Sequence, residues 1–209
     1  MKIQITIVFL LLSTLAMSQF TLTGRYVINN SDVVENLTST DGIPRGYEID
    51  LGYWFRLKNK RLEFIPEIGY TSLPGNDEIS ANGFSVNLNV LIYPLDFHND
   101  CNSCPTFSKE GGTIKKGFHW IMAPSWANLS LETPLINLVS NNLSTFRLGL
   151  GAGLDIGITN LLAITPIVMI NVGQQFDEFS ISISGEDGSR YRQVHLGLRA
   201  TLRLDKDKW

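Results

Sequence analysis

The chain has 209 residues, a formal charge of −3 and 18% charged residues, a share below the roughly one quarter of an average soluble domain. Lysine and arginine form no block, so we expect no nucleic-acid partner. Two cysteines are too few for a scaffold held together by disulfides. These numbers exclude few functions, but they are compatible with a membrane protein.

Residues 1–18 have the pattern of a secretory signal peptide. Lys2 precedes an apolar run, and Ala16 and Ser18 are small residues at the spacing of a cleavage site. The run is shorter than the roughly 20 apolar residues of a spanning helix, and no later segment approaches that length. Residues 19–209 are therefore predicted to be an exported soluble domain or a β-barrel.

Eight segments alternate between apolar and polar or small residues, the period of a β-strand. The clearest is Ser144–Ile158, with an apolar row that includes Phe146 and Leu150 and a second face rich in glycine. In chain order the predicted strands cover 20–26, 47–57, 62–71, 84–93, 118–127, 144–158, 164–173 and 193–204. Polar loops are predicted at 29–44, 73–82, 131–142 and 176–190, with short turns at 59–60 and 159–160 and a long connection at 95–117.

The strand pattern fits two all-β architectures, an exported soluble sandwich and a membrane barrel. Aromatic residues near the strand ends favour the barrel, because bilayer interfaces select two aromatic bands. The opposite faces carry mid-strand charges and many glycines, whereas a soluble surface would be rich in lysine. The predicted fold is a closed eight-stranded antiparallel up-and-down transmembrane β-barrel, whose strands must close because lipid cannot pair a free edge.

Side chains fill the interior of a barrel of eight strands. Charges sealed there are costly unless they are paired, so equal numbers of acidic and basic residues predict a salt-bridged plug. Arg56 and Glu63 flank a short turn and are expected to pair with each other. The predicted lumen charge network consists of Arg25, Glu48, Asp50, Arg56, Glu63, Glu67, Arg147, Asp155, Arg199 and Arg203. The glycine face of the sixth strand is expected to leave room for Arg199 and Glu67.

The leader, the alternating strands, the run Pro66–Tyr70 and the run Gly149–Leu154 resemble small outer-membrane barrels of the PorT-type and OmpA/OmpX-like families. The resemblance implies the outer membrane of a Gram-negative cell, with the N-terminus in the periplasm and the long loops outside. It also implies an aromatic residue near the C-terminus that the assembly machinery reads, a role open to Trp209.

Cys101 and Cys104 form a C-x-x-C pair. In an oxidising compartment we expect a local disulfide. A redox role lacks a thioredoxin-like context, and a metal site with His98 and Asp100 lacks a second, separated ligand pair.

The connection at 95–117 is too long for a periplasmic turn. It either folds back to close the barrel or docks a partner. The docking candidates are Phe97, Pro105, Phe107, Lys115 and Lys116.

The sequence favours a non-enzymatic outer-membrane barrel with a structural or partner-binding role. Its expected partners are outer-membrane lipid and other outer-membrane or periplasmic proteins, and we expect no cofactor and no metal. A narrow porin-like channel is one alternative. A lipid-modifying enzyme is another, because His119 and His195 are predicted to point inward, but no serine nucleophile is placed beside them.

Overall fold

The computed structural model describes residues 19–31, 45–57, 62–74, 80–95, 117–132, 141–159, 161–176 and 190–203. The predicted leader at 1–18 lies outside the described residues. The strands are β1 (Gln19–Ser31), β2 (Arg45–Tyr53), β3 (Phe55–Arg56), β4 (Leu62–Pro74), β5 (Ser80–Ile92), β6 (Phe118–Glu132), β7 (Asn141–Leu154), β8 (Ile156–Gly157), β9 (Leu162–Phe176) and β10 (Arg190–Arg203).

The sheet is a closed barrel. All pairings are antiparallel, and β10 pairs with both β9 and β1, so the first and last strands meet. β2 and β3 both pair with β4, and β7 and β8 both pair with β9. β2 and β3 are therefore two parts of one interrupted wall strand, and so are β7 and β8. The wall has eight strands. The prediction of an all-β, closed, eight-stranded antiparallel barrel is confirmed.

The two breaks fall at Trp54 and Asp155, near the same end of the barrel. At each break the backbone N–H leaves the regular ladder and donates to a neighbouring carbonyl, Trp54 to Gln19 at 2.9 Å and Asp155 to Gly117 at 3.0 Å. We call the end that carries Gln19 and Arg203 the terminal end, and the opposite end the loop end.

The strands are longer than their hydrophobic pattern indicates. Pro74 pairs with Ser80 and Leu131 with Asn141. The loops predicted at 73–82 and 131–142 therefore include residues that belong to strands. Polar residues near a strand end resemble a loop in sequence, but their backbone groups continue the ladder because the pairing does not depend on the side chains.

The outer face of the barrel is apolar along its middle. Leu150, Ile68 and Leu198 are 60%, 67% and 60% exposed. In a soluble domain, large apolar side chains in the middle of strands would instead be buried in the core. Aromatic residues lie toward both ends of this face. Tyr70 contacts Phe84 edge-on near the loop end, and the band there also includes Tyr26, Tyr47, Trp126 and Phe146.

The lumen is closed by side chains. Val27, Leu73, Ala81 and Leu129 form a buried apolar cluster near the loop end. No helix in the described part of the chain has the length and apolar character to cross a membrane.

Candidate functional site

A buried arginine organises the centre of the lumen. Arg25 on β1 is the register partner of Glu48 on β2, and its Nη1 donates to Glu48 Oε1 at 2.8 Å and also to Asp50. Its Nη2 donates to Glu67 on β4. All four side chains are at most 3% exposed. One guanidinium thus neutralises charge from three carboxylates, which are too deeply buried for water to solvate them.

Two more arginines complete the group. Arg147 Nη1 lies 3.4 Å from Glu48 Oε2, and Arg199 Nε lies 3.5 Å from Glu67 Oε1. Both side chains are buried. Three cations therefore face three carboxylates, and we call this group the central ion cluster: Arg25, Arg147, Arg199, Glu48, Asp50 and Glu67.

Neutral polar side chains satisfy the remaining carboxylate oxygens. Thr71 donates to Glu48 at 2.9 Å, Thr23 donates to Glu67 at 2.8 Å and Asn87 donates to Asp50 at 2.8 Å. Arg147 also donates to Ser125 at 3.1 Å and to Gln193 at 3.3 Å. A buried polar network is stable only when its members are paired. Most polar atoms of the central ion cluster have such a partner.

Glycine makes room for the cluster. A Cβ on Gly69 would lie 2.0 Å from Asp50 Oδ1 and 2.7 Å from Ser85 Oγ, and one on Gly52 would lie 2.7 Å from the Glu67 side chain. The carboxylates therefore rest against bare backbone on β2 and β4.

A second polar group lies at the terminal end. Glu63 Oε2 accepts hydrogen bonds from Trp54 Nε1 at 2.7 Å and from the Tyr93 hydroxyl at 2.9 Å. The same hydroxyl lies 2.7 Å from Asp155 Oδ2, and Thr165 donates to Asp155 Oδ1 at 2.6 Å. We call these five residues the terminal-end cluster. Both strand breaks, at Trp54 and Asp155, contribute a side chain to it.

A narrow pocket joins the two groups. Trp54, Glu63, Tyr93 and Asp155 of the terminal-end cluster line it together with Arg199 of the central ion cluster, and it has room for about one water molecule. Glu63 Oε1 and Arg199 Nη2 are buried and have no hydrogen-bond partner among the described residues. Side chains of these two groups and of the apolar cluster near the loop end thus occupy the described part of the lumen.

The two inward histidines are structural in their contacts. His119 Nδ1 lies 3.0 Å from the Gly117 carbonyl, and His195 Nε2 lies 3.3 Å from Gln193 Oε1. Neither is hydrogen-bonded to a serine within the described residues. The same part of the chain contains no group of His, Cys, Asp and Glu with the arrangement of a metal site.

The structure divides the predicted lumen residues into two sets. It brings six of them into the central ion cluster, while Glu63 and Asp155 lie apart from it at the terminal end. The Arg203 side chain lies outside the described part of the structure. The separation follows from register, because Glu63 is two inward positions nearer the terminal end than Glu67 on the same strand.

Two detailed predictions were wrong. Arg56 and Glu63 are register partners, but within the described residues no ion pair joins them: Arg56 is half-buried at the rim, and Glu63 is held by Trp54 and Tyr93. The glycine face of β7 makes room for β9 and β6 instead of Arg199 and Glu67. A Cβ on Gly149 would meet Asn171 and Met169, and one on Gly153 would meet His119.

Tyr93 and Asn87 were missed as site residues, although the strand alternation places both on the inward face. Cys101, Cys104, His98, Asp100 and the docking candidates Phe97, Pro105, Phe107, Lys115 and Lys116 lie outside the described residues.

No family model matches the sequence, and no curated protein matches it. Solved structures match its fold. Neisserial surface protein A (NspA) aligns with a TM-score of 0.58 and 8% identity, over 90% of this chain and 97% of that one. Ail, the attachment invasion locus protein of Yersinia pestis, aligns at 0.44 and 13% identity, over 88% and 97%. The outer membrane protein OprG from Pseudomonas aeruginosa aligns at 0.39 and 8% identity, over 89% and 96%.

The similarity to NspA shows the fold alone, which is that of a small eight-stranded barrel of the outer-membrane kind.

Proposed function

We propose that this chain is a non-enzymatic integral barrel of the Gram-negative outer membrane, and that it acts through the segments outside its wall. In this account the barrel is an anchor with a sealed lumen. The N-terminus lies in the periplasm, so the terminal end faces the periplasm and the loop end faces the exterior.

The observation that carries the proposal is the central ion cluster. Arg25 contacts Glu48, Asp50 and Glu67 at once, with each side chain at most 3% exposed. A conducting pore keeps its charges solvated so that ions can pass, whereas these charges neutralise one another. Removing charges from water is costly and is repaid only by close pairing, so the arrangement favours a permanent plug.

The outer face supports a lipid environment. Leu150, Ile68 and Leu198 lie in a continuous apolar belt and are each at least 60% exposed. Apolar patches of this extent are avoided on soluble monomers. Aromatic rings such as Tyr70 and Phe84 border the belt, where a bilayer interface would select them.

A sealed lumen leaves partner binding to the connections. We assign that role first to the connection at 95–117, because a turn inside the periplasm needs only a few residues. Its partner would be another outer-membrane or periplasmic protein.

The test uses the full-length chain, purified in detergent from native outer membrane after mild crosslinking. A deletion of residues 99–112 is compared with a deletion of residues 178–187, a polar stretch of the β9–β10 connection at the loop end. The proposal predicts that both variants reach the outer membrane and that only the first loses a crosslinked species of defined mass. A species that survives the first deletion, or wild-type protein found in the soluble periplasmic fraction, would overturn it.

A further inference from the structure

Two buried polar atoms belong to side chains that line the narrow pocket between the central ion cluster and the terminal-end cluster. Arg199 Nη2 and Glu63 Oε1 have no hydrogen-bond partner among the described residues, and both residues line the pocket. They are 2% and 1% exposed. Buried donors and acceptors are almost always paired with protein or with ordered water. These two atoms therefore indicate a partner that occupies the pocket.

The contacts of the same two side chains with described residues use other atoms. Arg199 Nε lies 3.5 Å from Glu67 Oε1, which leaves Nη2 for the pocket. Glu63 accepts through Oε2 from Trp54 at 2.7 Å and from Tyr93 at 2.9 Å, which leaves Oε1. Within the described residues no ion pair joins Arg199 to Glu63, so the two side chains are not each other's direct partner.

The size and chemistry of the pocket restrict its occupant. It has room for about one water molecule. A guanidinium nitrogen can only donate a hydrogen bond, whereas a carboxylate oxygen accepts one. The occupant must therefore accept from Arg199 and donate to Glu63. A metal ion cannot accept a hydrogen bond and would lie against the guanidinium charge, and a halide ion cannot donate one. Water does both within the available volume.

We propose that one water molecule occupies this pocket, accepts a hydrogen bond from Arg199 Nη2 and donates one to Glu63 Oε1. Thr201 and Asp155 line the same pocket and offer acceptors for its second hydrogen. The water makes a bridged ion pair between Arg199 of the central ion cluster and Glu63 of the terminal-end cluster, and it joins the two clusters into one network. Asp155 places the site next to solvent at the terminal end, since its side chain is 12% exposed.

The test is a crystal structure of the full chain in detergent, at a resolution that shows ordered water, from crystals grown in rubidium bromide. We expect one density peak of the height of an oxygen atom, within hydrogen-bond distance of both Arg199 Nη2 and Glu63 Oε1. The peak should give no anomalous signal from rubidium or bromide. An anomalous peak in the pocket would overturn the proposal, because the site would then hold an ion. A direct contact between Arg199 and Glu63, another side chain in the pocket, or a pocket without density would overturn it as well.

A pair of variants tests whether Arg199 holds the water. Arg199→Met removes the donor and should abolish the peak. Arg147→Met is the matched control, because Arg147 is a buried arginine of the same central ion cluster and is not among the described residues that line the pocket. It should keep the peak at the wild-type height. A peak of unchanged height in Arg199→Met would contradict the bridge, and the wild-type crystal decides the proposal even if a variant does not fold.

Discussion

Arg25 Nη1 donates to Glu48 Oε1 at 2.8 Å inside the barrel, and the two residues face each other as register partners on β1 and β2. The wall itself therefore sets the contact, because a shift of either strand by one residue would send its side chain to the opposite face. Any loss of this pairing leaves a charge in a place closed to water.

Replacing Arg25 with methionine should destabilise the barrel strongly. The variant leaves Glu48, Asp50 and Glu67 without their shared cation, and removing one partner of a buried ion pair costs about 3–5 kcal/mol. Urea unfolding in lipid vesicles, followed by tryptophan fluorescence, measures the change. Arg45→Gln on the exposed face is the control and should change stability by no more than about 0.5 kcal/mol. A loss below about 1 kcal/mol for Arg25→Met, the value of an exposed pair, would mean that water reaches the cluster.

Gly69→Ala should perturb the same cluster through a single methyl group. The added Cβ would lie 2.0 Å from Asp50 Oδ1, so the carboxylate must shift from the position in which it binds Arg25 and Asn87. Overpacking of this kind costs about 1–3 kcal/mol. Gly24→Ala is a matched control on the outer face, where no atom lies within 4 Å of the added group. Equal heat stability of the two variants on unboiled gels would show that Asp50 is not held against β4.

Leu150→Arg separates a lipid-facing barrel from a soluble one. Leu150 is 60% exposed in the middle of the apolar belt. An arginine at the bilayer midplane of a barrel costs about 2–4 kcal/mol, whereas a leucine exposed to water can be replaced with little effect. Unfolding in vesicles gives the number, and Leu150→Ala controls for the lost side chain. Unchanged stability for Leu150→Arg would argue against a membrane location.

Trp54→Phe tests the terminal-end cluster by deleting one donor to a buried carboxylate. Glu63 loses the Nε1 hydrogen bond of 2.7 Å, and an unsatisfied buried partner costs about 1–3 kcal/mol. Trp120→Phe is the comparison, because Trp120 is 54% exposed on the outer face. If the two variants unfold at the same urea concentration, the Trp54 contact adds nothing to stability.

The sequence predicts the wall well and the lumen contacts less well. Period-two alternation determines which side chains face inward, so Arg25, Glu67 and Arg199 could be assigned before the structure was known. Alternation does not give the position of a residue along the barrel axis relative to residues on other strands. That position depends on the stagger between strands that are distant in sequence. Asp155 and Arg147 share a face of one wall strand, yet they lie in different clusters.

Local geometry accounts for the other misses. The Arg56–Glu63 register follows from the turn alone, but Trp54 and Tyr93 reach Glu63 from the two wall strands that flank β4. Alternation places Trp54 and Tyr93 on the inward face, but it does not indicate which of the residues that flank Glu63 binds its carboxylate.

The central claim is that the lumen is sealed by paired charges, and single-channel recording in planar bilayers tests it most directly. The purified wild-type barrel should insert and show no stepwise conductance in salt solution at moderate voltage. Neutralising Glu67 or Arg199 should therefore find no wild-type current to abolish. Steady wild-type conductance steps that disappear in Glu67→Gln or Arg199→Gln would contradict the account, because they would mean that ions pass along the charges that the structure shows paired.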